Sequence, residues 1–294
     1  MHAITAIIQA RMSSSRLPGK VLRQISGQPM LAHVVARAKR AHLVDQVLVA
    51  TTTGSDDNAI ERFCAERGYP CYRGSLPDVL DRYYQAARQS QAGTIVRITA
   101  DCPLLDPAVV DLTIQAFQGG FTPQQTGGYD FAANRLPPPW TRSLPIGLDV
   151  EVCSFAALER AWHEAHERFH REHVMPYLYE DVSLFPVQNS QVDLPYHLAH
   201  GVSPRGFRVI QLHHTPDQGS LRWTVDTPAD LELVQQIFEH LMAPKDQVSS
   251  DPFDETIFPW HTVLSLVQSH PELSEINASI QHKTVFDVDT RTQA

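Results

Sequence analysis

The chain has 294 residues, of which 43% are hydrophobic and 19% charged, values that allow a sizeable core in one large domain or in a domain with an appendage. Its net charge of -9 argues against a general nucleic-acid-binding or acidic-membrane-binding surface, so any phosphate site must be a local basic patch. The 4 cysteines form no C-x-x-C pair, and we expect free thiols. No apolar run approaches the ~20 residues of a membrane span, and the start of the chain lacks the pattern of a signal peptide. These features predict a cytoplasmic protein.

The first half of the chain alternates short apolar runs with stretches of helical periodicity. We predict strands at 4–8, at 46–51, near Cys71 and at 94–99, and helices at 30–41, 56–67, 78–89 and 107–117. This alternation is typical of an α/β protein with a doubly wound, mainly parallel sheet, in which ligands bind at the carboxyl ends of the strands.

The second half of the chain is less regular. From residue 119 onward we predict a loop around one strand at 129–134, a strand at 147–152, a helix at 154–166, an irregular stretch at 186–206, strands at 207–213 and 221–226, a helix at 228–241, and small helices within 261–268 and 271–281. We therefore expect a main domain over 1–242, with an irregular α+β insertion at about 120–206. A linker and a small C-terminal helical tail follow over 243–294.

The loop after the first predicted strand is dense in anion-binding groups. It reads QARMSSSRLPGK over residues 9–20 and contains Arg11, Arg16, Lys20 and a run of serines. A nucleoside triphosphate needs such a set, because backbone amides and hydroxyls surround its oxygens while cations offset its charge. The G-x-x-x-x-G-K-[ST] and G-x-G-x-x-G patterns are absent, which argues against P-loop ATPases and nicotinamide dehydrogenases. From composition alone, a solvated surface loop is an equal alternative.

Two aspartates follow predicted strands at widely separated points of the chain. Asp101 lies just past one of these strands and Asp226 just past another. Magnesium prefers hard oxygen ligands and usually keeps waters and substrate phosphates, so two carboxylates that meet over the sheet would suit a magnesium–triphosphate complex. The alternative for each is a helix cap, and Asp106 is predicted to be only the N-cap of the helix that begins at Pro107.

A second metal-binding pattern has to be weighed. Residues 163–173 read HEAHERFHREH and contain H-E-x-x-H from His166 to His170, the pattern of zinc peptidases. Catalytic zinc helices carry apolar neighbours, whereas this stretch is crowded with charged residues, and a chain with 15 histidines produces the pattern readily by chance. We interpret the stretch as a solvated helix face and predict no zinc site.

Several segments resemble, in the same order, those of the sugar cytidylyltransferases: IIQARMSSSRLPGKVL, ATTTGSDDNAI, YRGSLPDVLDRYYQAA, VRITADCPLLDP, GLDVEV, REHVMPYLY and LRWTVDTPADLELV. The resemblance covers residues 3–240 and is greatest to the spore-coat-polysaccharide-biosynthesis (SpsF-type) group. Acylneuraminate and 3-deoxy-manno-octulosonate cytidylyltransferases are more distant relatives. The loop departs from the commonest family form, which has glycine before serine or threonine where this chain has Ser13 and Ser14.

The resemblance implies a Rossmann-like fold of the nucleotide-diphospho-sugar transferase type. It implies transfer of CMP from CTP to a sugar or small acid acceptor, with release of pyrophosphate, in surface polysaccharide or glycan biosynthesis. It also implies Mg²⁺ as cofactor, a homodimer through the irregular 150–200 region, and no nucleic-acid or membrane partner. The open alternatives are a nucleotidyltransferase for another base, a nucleotide-sugar-dependent glycosyltransferase and a catalytically silent nucleotide-binding module.

The resemblance also implies roles for individual residues. The catalytic residues would be Arg16, Lys20, Asp101 and Asp226, with both aspartates as metal ligands. The nucleotide would be bound by Gln9, Ala10, Arg11, Ser13, Ser14, Arg16, Lys20, Arg73, Gly74 and Ser75. The acceptor would be bound by Gly147, Asp149, Glu151 and His173. At Asp149 and Glu151, ordinary surface carboxylates would give the same sequence pattern.

Overall fold

The computed structural model describes residues 3–122, 127–136, 142–242, 253 and 256–281. The strands are β1 (Ala3–Gln9), β2 (Gln24–Ile25), β3 (Gln28–Pro29), β4 (Gln46–Thr52), β5 (Cys71–Gly74), β6 (Ala92–Thr99), β7 (Phe131–Ala133), β8 (Glu151–Ser154), β9 (Phe185–Pro186), β10 (Tyr196–Val202) and β11 (Arg208–His214). The helices are α1 (Met30–Lys39), α2 (Asn58–Arg67), α3 (Val79–Gln89), α4 (Pro107–Phe117), α5 (Phe155–Glu164), α6 (Arg168–His173), α7 (Pro176–Tyr179), α8 (Pro228–Leu241), α9 (Trp260–Ser269) and α10 (Pro271–Glu275). Within these residues, a nine-stranded sheet has the order β5-β4-β1-β6-β8-β7-β11-β10-β9.

The strands β5, β4, β1 and β6 form a parallel block, and the rest of the sheet is mixed. Gln9 at the end of β1 is paired with Thr99 at the end of β6. Beyond this block, β8 runs antiparallel to both β6 and β7, whereas β7 and β11 are parallel. The loop after β1 and the segment after β6 therefore leave the sheet side by side.

Both faces of the parallel block are covered by helices. Ala6 and Ile8 of β1 belong to the same core as α1, α4 and α8, whereas Ile7 belongs to a second core with α3 and α5. Neighbouring residues enter different cores because successive side chains of a strand point to opposite faces. A sheet covered on both faces explains why the first strands read as continuous apolar runs.

The predicted α/β architecture is confirmed, and α4 and α8 match the helices predicted at 107–117 and 228–241. The other first-half elements and the two small C-terminal helices lie close to their predicted bounds.

Some later predictions are wrong, since 221–226 forms an isolated bridge from Arg222 to Ile146 instead of a strand. The stretch at 186–206 contains β10, and the strand predicted at 147–152 begins only at Glu151. The predicted linker from 243 lies mostly outside the described residues.

The H-E-x-x-H stretch does not lie on one helix. α5 ends at Glu164, and α6 begins at Arg168, so the exposed His166 falls between them while the buried His170 lies inside α6. The helix predicted over 154–166 therefore ends earlier than expected. The two histidines lack the shared helical face that the zinc-peptidase pattern requires.

The thiols of Cys64, Cys71, Cys102 and Cys153 are free, as their spacing predicted. Within the described ranges, no helix combines the length and the apolar character needed to cross a membrane.

The C-terminal tail, residues 256–281, packs against the main body. Phe258 and Trp260 are buried in the same core as β1 and α1. The guanidinium of Arg37 in α1 is buried and donates to the carbonyls of Thr256 and Phe258. Burial lowers the pKa of Arg37 to about 10, and a buried charge without polar partners is costly. The tail therefore provides both apolar contacts and the carbonyls that stabilise this cation.

Candidate functional site

A cavity of about 340 Å³ lies over the carboxyl ends of β1 and β6. Its lining comes from the loop after β1, the segment after β6, the helices α3 and α6, and the residues just before α8. This is the edge of a doubly wound sheet at which ligands bind. The cavity therefore lies where the sequence predicted a site.

The loop after β1 is anchored by Asp57. The amide of Met12 donates to Asp57 Oδ1 at 2.7 Å, and Asp57 also accepts from Thr52 at the end of β4. Gly19 has a φ of +69°, a conformation that glycine adopts without strain, and a short 3-10 helix begins directly after it at Lys20. This turn directs the Lys20 side chain back over the sheet.

Lys20 joins the two aspartates that the sequence predicted to meet. Its Nζ donates to Asp101 Oδ2 at 2.7 Å, to Asp226 Oδ1 at 2.8 Å and to the carbonyl of Val225 at 2.9 Å. Burial opposes the charged form of Lys20, but the two carboxylates outweigh it and raise the pKa of Lys20 above its ordinary value. Lys20 is thus a buried cation shared by carboxylates from distant parts of the chain.

Asp226 has further positive neighbours. Its Oδ2 lies 2.9 Å from Arg16 Nη2 and 2.6 Å from Arg222 Nη2. Burial raises the pKa of a carboxyl group, but Lys20 and then Arg16 outweigh this and lower the pKa of Asp226 to about 2. Asp226 is therefore ionised over the whole physiological range of pH.

Neither of these aspartates is a helix cap. Thr227 is the N-cap of α8 and forms a capping box with Asp230. Asp101 lies in the turn after β6, where its backbone carbonyl accepts from the amide of Val225 at 2.8 Å. Asp106, by contrast, is the N-cap of α4, as predicted. The helix-cap alternatives therefore do not account for the two aspartates.

The two carboxylates fit a magnesium ion. One oxygen of Asp101 and one of Asp226 contact the same cationic nitrogen, so both are oriented toward one point. Among the described residues, no group of 3 or more His, Cys, Asp or Glu side chains could hold a metal ion. Magnesium, however, is usually held by one or two carboxylates together with substrate phosphates and water. This donor set therefore suits a metal that arrives with a phosphate ligand.

Additional cationic side chains line the same cavity. In the part of the chain that the structure describes, the Nε atoms of Arg82 and Arg135 and the Nε2 atom of His173 are buried without a hydrogen-bond partner. Burial and the nearby charge of Arg97 lower the pKa of His173, so its imidazole is neutral at neutral pH. A smaller cavity of about 150 Å³ shares Arg82 and His173 with the first. Buried polar atoms without partners indicate a place for a polar ligand.

The structure brings most of the predicted site residues together. Those that line the cavity are Gln9, Ala10, Arg11, Ser14, Arg16, Lys20, Asp101, His173 and Asp226. Those that do not line it are Ser13, Arg73, Gly74, Ser75, Gly147, Asp149 and Glu151.

The segment predicted to contact the base is engaged in structural contacts. Arg73 donates to the carbonyls of Thr52 and Gly54, both at 2.8 Å. The carbonyl of Ser75 accepts from Arg82 Nη1 at 2.6 Å. Ser75 therefore does not line the cavity, but it contacts Arg82, which does.

The carboxylates predicted to bind the acceptor are paired with arginines. Glu151 of β8 forms an ion pair with Arg97, which lies opposite it on β6. Asp149 precedes β8 and contacts Arg142 at 2.9 Å. Of the predicted acceptor-binding residues, all of which the structure describes, only His173 lines the cavity.

Gly147 is required by packing. Its φ is +108°, and a Cβ at this position would lie 2.7 Å from the amide nitrogen of Thr224 and 2.7 Å from the carbonyl carbon of Trp223. The segment that approaches so closely leads directly to Asp226. Gly147 therefore acts on the site indirectly, by permitting this approach.

Arg82, Arg135 and Glu172 also line the cavity, although they were not predicted as site residues from the sequence. Arg82 did offer a signal, because it shares the buried face of α3 with Val79 and Tyr83. An arginine among apolar residues requires a polar partner or a ligand. Arg135 and Glu172 lie in irregular or strongly charged sequence and gave no comparable signal.

A cytidylyltransferase family model matches residues 5–243. An uncharacterized protein of Methanocaldococcus jannaschii is 30% identical over 286 residues, 97% of this chain and 99% of that protein. The spore coat polysaccharide biosynthesis protein SpsF of Bacillus subtilis is 30% identical over 244 residues, 81% of this chain and 88% of that protein. A 3-deoxy-manno-octulosonate cytidylyltransferase of Anaeromyxobacter is 39% identical over 123 residues, 41% of this chain and 49% of that protein. A solved cytidylyltransferase structure from Leptospira borgpetersenii is 25% identical, with a TM-score of 0.75 and coverage of 96% of this chain and 100% of that chain.

Proposed function

We propose that this chain, which belongs to the cytidylyltransferase family, transfers CMP from CTP to a sugar or small acid acceptor with release of pyrophosphate. Family membership makes it a nucleotidyltransferase. The similarity to SpsF of Bacillus subtilis supports a role in the biosynthesis of a surface polysaccharide or glycan.

The observation that carries the proposal is the contact of Lys20 with Asp101 and Asp226 beside a cationic loop. Nucleotidyl transfer needs cations for the phosphate oxygens and carboxylates for a metal ion at one place. A general nucleotide-binding loop would provide only the first of these. The two groups meet in this cavity although their residues are far apart in the sequence.

In the proposed reaction, Arg11, Arg16 and Lys20 bind the triphosphate and offset its charge as pyrophosphate leaves. Lys20 Nζ would do so after leaving the point between Asp101 and Asp226 that a metal ion would occupy. The acceptor hydroxyl attacks the α-phosphorus in line, the new P–O bond forms as the bond to pyrophosphate breaks, and the hydroxyl proton passes to solvent. Asp101 and Asp226 would hold Mg²⁺, which when bound offsets charge on the attacking and leaving oxygens. The rest of the catalytic effect comes from positioning the two substrates in one cavity.

The cavity also favours an acidic acceptor. Arg82 and Arg135 have buried Nε atoms without a partner among the described residues, and a guanidinium binds a carboxylate or phosphate through two parallel hydrogen bonds. We therefore propose an acceptor that carries such a group, and the similarity to a 3-deoxy-manno-octulosonate cytidylyltransferase supports a sugar acid.

The first test is a thermal-shift panel of CTP, UTP, GTP and ATP, each with and without Mg²⁺. A ligand that binds only the folded state stabilises it by about 2.7 kcal/mol at a hundredfold excess over its Kd. We expect a Mg²⁺-dependent shift with CTP that Lys20→Ala abolishes. Arg23→Ala is the matched control, because Arg23 is an exposed cation close to the loop that does not line the cavity. No shift with any triphosphate would refute the proposal.

The homodimer through the 150–200 region stays a prediction. Phe185 and Leu194 are large apolar side chains with exposed fractions of 64% and 91%, and Phe185 belongs to the edge strand β9. Exposed apolar side chains at a sheet edge favour contact with another subunit. Light scattering on wild type and Phe185→Glu tests this, with a dimer expected only for the wild type.

A further inference from the structure

One buried polar contact joins the C-terminal tail to the residues that hold Asp226. Asn277 follows α10 and is 6% exposed. Its Nδ2 donates to the backbone carbonyl of Arg222 at 3.0 Å and to Asp230 Oδ1 at 2.9 Å. The tail therefore contacts two of the residues that hold Asp226 in position.

Asp230 is the centre of this network and is fully buried. It accepts from Arg222 Nε at 2.8 Å, and from the backbone amides of Asp226 at 3.0 Å and Thr227 at 2.9 Å. Arg222 in turn donates through Nη2 to Asp226 Oδ2 at 2.6 Å. In addition to its contacts with Lys20 and Arg16, Asp226 is therefore held by its backbone amide through Asp230 and by its side chain through Arg222.

We propose that Asn277 is a positioning residue for Asp226, an inference that rests on the proposed function. The Asn277 amide fixes the Asp230 carboxylate and the Arg222 backbone at once. These two residues direct one oxygen of Asp226 toward the point it shares with Asp101. Groups in contact with a metal ligand set its orientation, and their loss typically weakens metal binding roughly 10–100-fold. Arg222 and Asp230 are such groups for Asp226, and Asn277 acts on Asp226 through them.

The polar contact of Asn277 can be removed without releasing the tail. Trp260 and Leu273 are buried in the main core, and the amide of Trp260 donates to Asp106 Oδ2 at 2.7 Å. Trp260 Nε1 also donates to the hydroxyl of Tyr196 on β10 at 3.2 Å. These contacts hold the tail independently of Asn277, so a substitution there tests orientation of Asp226 more than docking of the tail.

The test compares wild type with Asn277→Ala, Asn277→Ser and Tyr196→Phe. Tyr196→Phe is the matched control, because it also removes one hydrogen bond between the tail and the body but shares no partner with Asp230. Calorimetric titration gives the Mg²⁺ concentration at half-saturation of CTP binding, and a thermal melt of each variant gives its stability. No acceptor is needed, so the measurement is independent of turnover.

We expect Asn277→Ala to raise the half-saturating Mg²⁺ concentration severalfold, less than the roughly 10–100-fold typical of groups that contact a metal ligand directly, and Tyr196→Phe to leave it unchanged. Asn277→Ser should give an intermediate half-saturating Mg²⁺ concentration, because a hydroxyl can donate to only one of the two acceptors. It is also the variant to use if Asn277→Ala does not fold. Loss of thermal stability with unchanged Mg²⁺ dependence in the asparagine variants would overturn the inference and leave Asn277 a purely structural residue. Absence of Mg²⁺-dependent CTP binding in the wild type would overturn the proposed function and the inference together.

Discussion

Replacing Lys20 with methionine keeps much of the side-chain volume but removes the positive charge that Asp101 and Asp226 share. The side chains are 10%, 24% and 23% exposed in that order, so solvent screens the contact only in part. Breaking a buried ion pair by removing one partner costs about 3–5 kcal/mol. Arg16 and Arg222 still contact Asp226 in the variant. We therefore expect a loss at the lower end of this range, about 3 kcal/mol in the free energy of unfolding at neutral pH.

Urea titration without divalent cations measures this loss. Arg16→Met is the control, because Arg16 contacts the same Asp226 carboxylate from a more exposed position (29%), and it should cost about 1 kcal/mol or less. Adding Mg²⁺ should then stabilise Lys20→Met more than wild type, since two carboxylates are left oriented toward one point. If Lys20→Met loses no more stability than Arg16→Met, or if Mg²⁺ has no effect on it, the two aspartates do not form one cation site.

Three further predictions concern the acceptor, the packing and the pH dependence. Arg135→Met should raise the KM for an acidic acceptor about tenfold and change that for CTP less than about twofold in steady-state assays, since only the acceptor loses a charged hydrogen bond. Gly147→Ala should lower the free energy of unfolding by about 3 kcal/mol in urea titrations, and Gly68→Ala by about 1 kcal/mol. Both glycines have positive φ, but only a Cβ added at Gly147 would meet backbone atoms. The pKa of Asp226 is about 2 in the folded chain, against an ordinary value of 3.8. Ionised Asp226 therefore stabilises the folded state fully above pH 3.8, and this stabilisation is lost as the pH falls toward about 2. On acid titration, wild type should therefore lose about 2 kcal/mol more stability than Asp226→Asn.

The strands of the first half could be predicted because helices cover both faces of the sheet there. The segment 221–226 has a similar apolar pattern, but its amides bond to separate neighbours. Trp223 N donates to the carbonyl of Ile146 at 2.7 Å, and Val225 N to that of Asp101 at 2.8 Å. This segment is mostly buried but does not join the sheet. The difference from a sheet strand lies in its hydrogen-bond partners and not in its local apolar pattern. β10 was missed because, of its residues, only Leu198 is buried, which leaves a weak apolar signal.

The loop cations and Asp101 could be predicted because the ends of the parallel strands β1 and β6 meet at one edge of the sheet. Asp226 joins them from a segment outside the sheet, in which the amide of Val225 donates to the carbonyl of Asp101. From the sequence alone, however, a charged residue that pairs with a distant residue cannot be distinguished from one that faces a ligand. Glu151 meets Arg97 only because β8 lies antiparallel beside β6, a pairing that the doubly wound pattern does not contain. Asp149 is likewise paired with Arg142. The acceptor side of the cavity was therefore the part that sequence could not place.

The charge distribution of the cavity bears on which anions this protein admits. Its lining sets the cations of Arg11, Arg16, Lys20, Arg82 and Arg135 against the carboxylates of Asp101, Glu172 and Asp226. A net charge of -9 argues against binding of extended polyanions such as nucleic acids, whereas a concave cationic site focuses its field on ligands small enough to enter. In the proposed reaction, a triphosphate and an acidic acceptor would repel each other, and the excess of cations would lower that repulsion where the attacking oxygen approaches the phosphorus. The same distribution would therefore allow the two small anions of the proposed reaction to share one cavity.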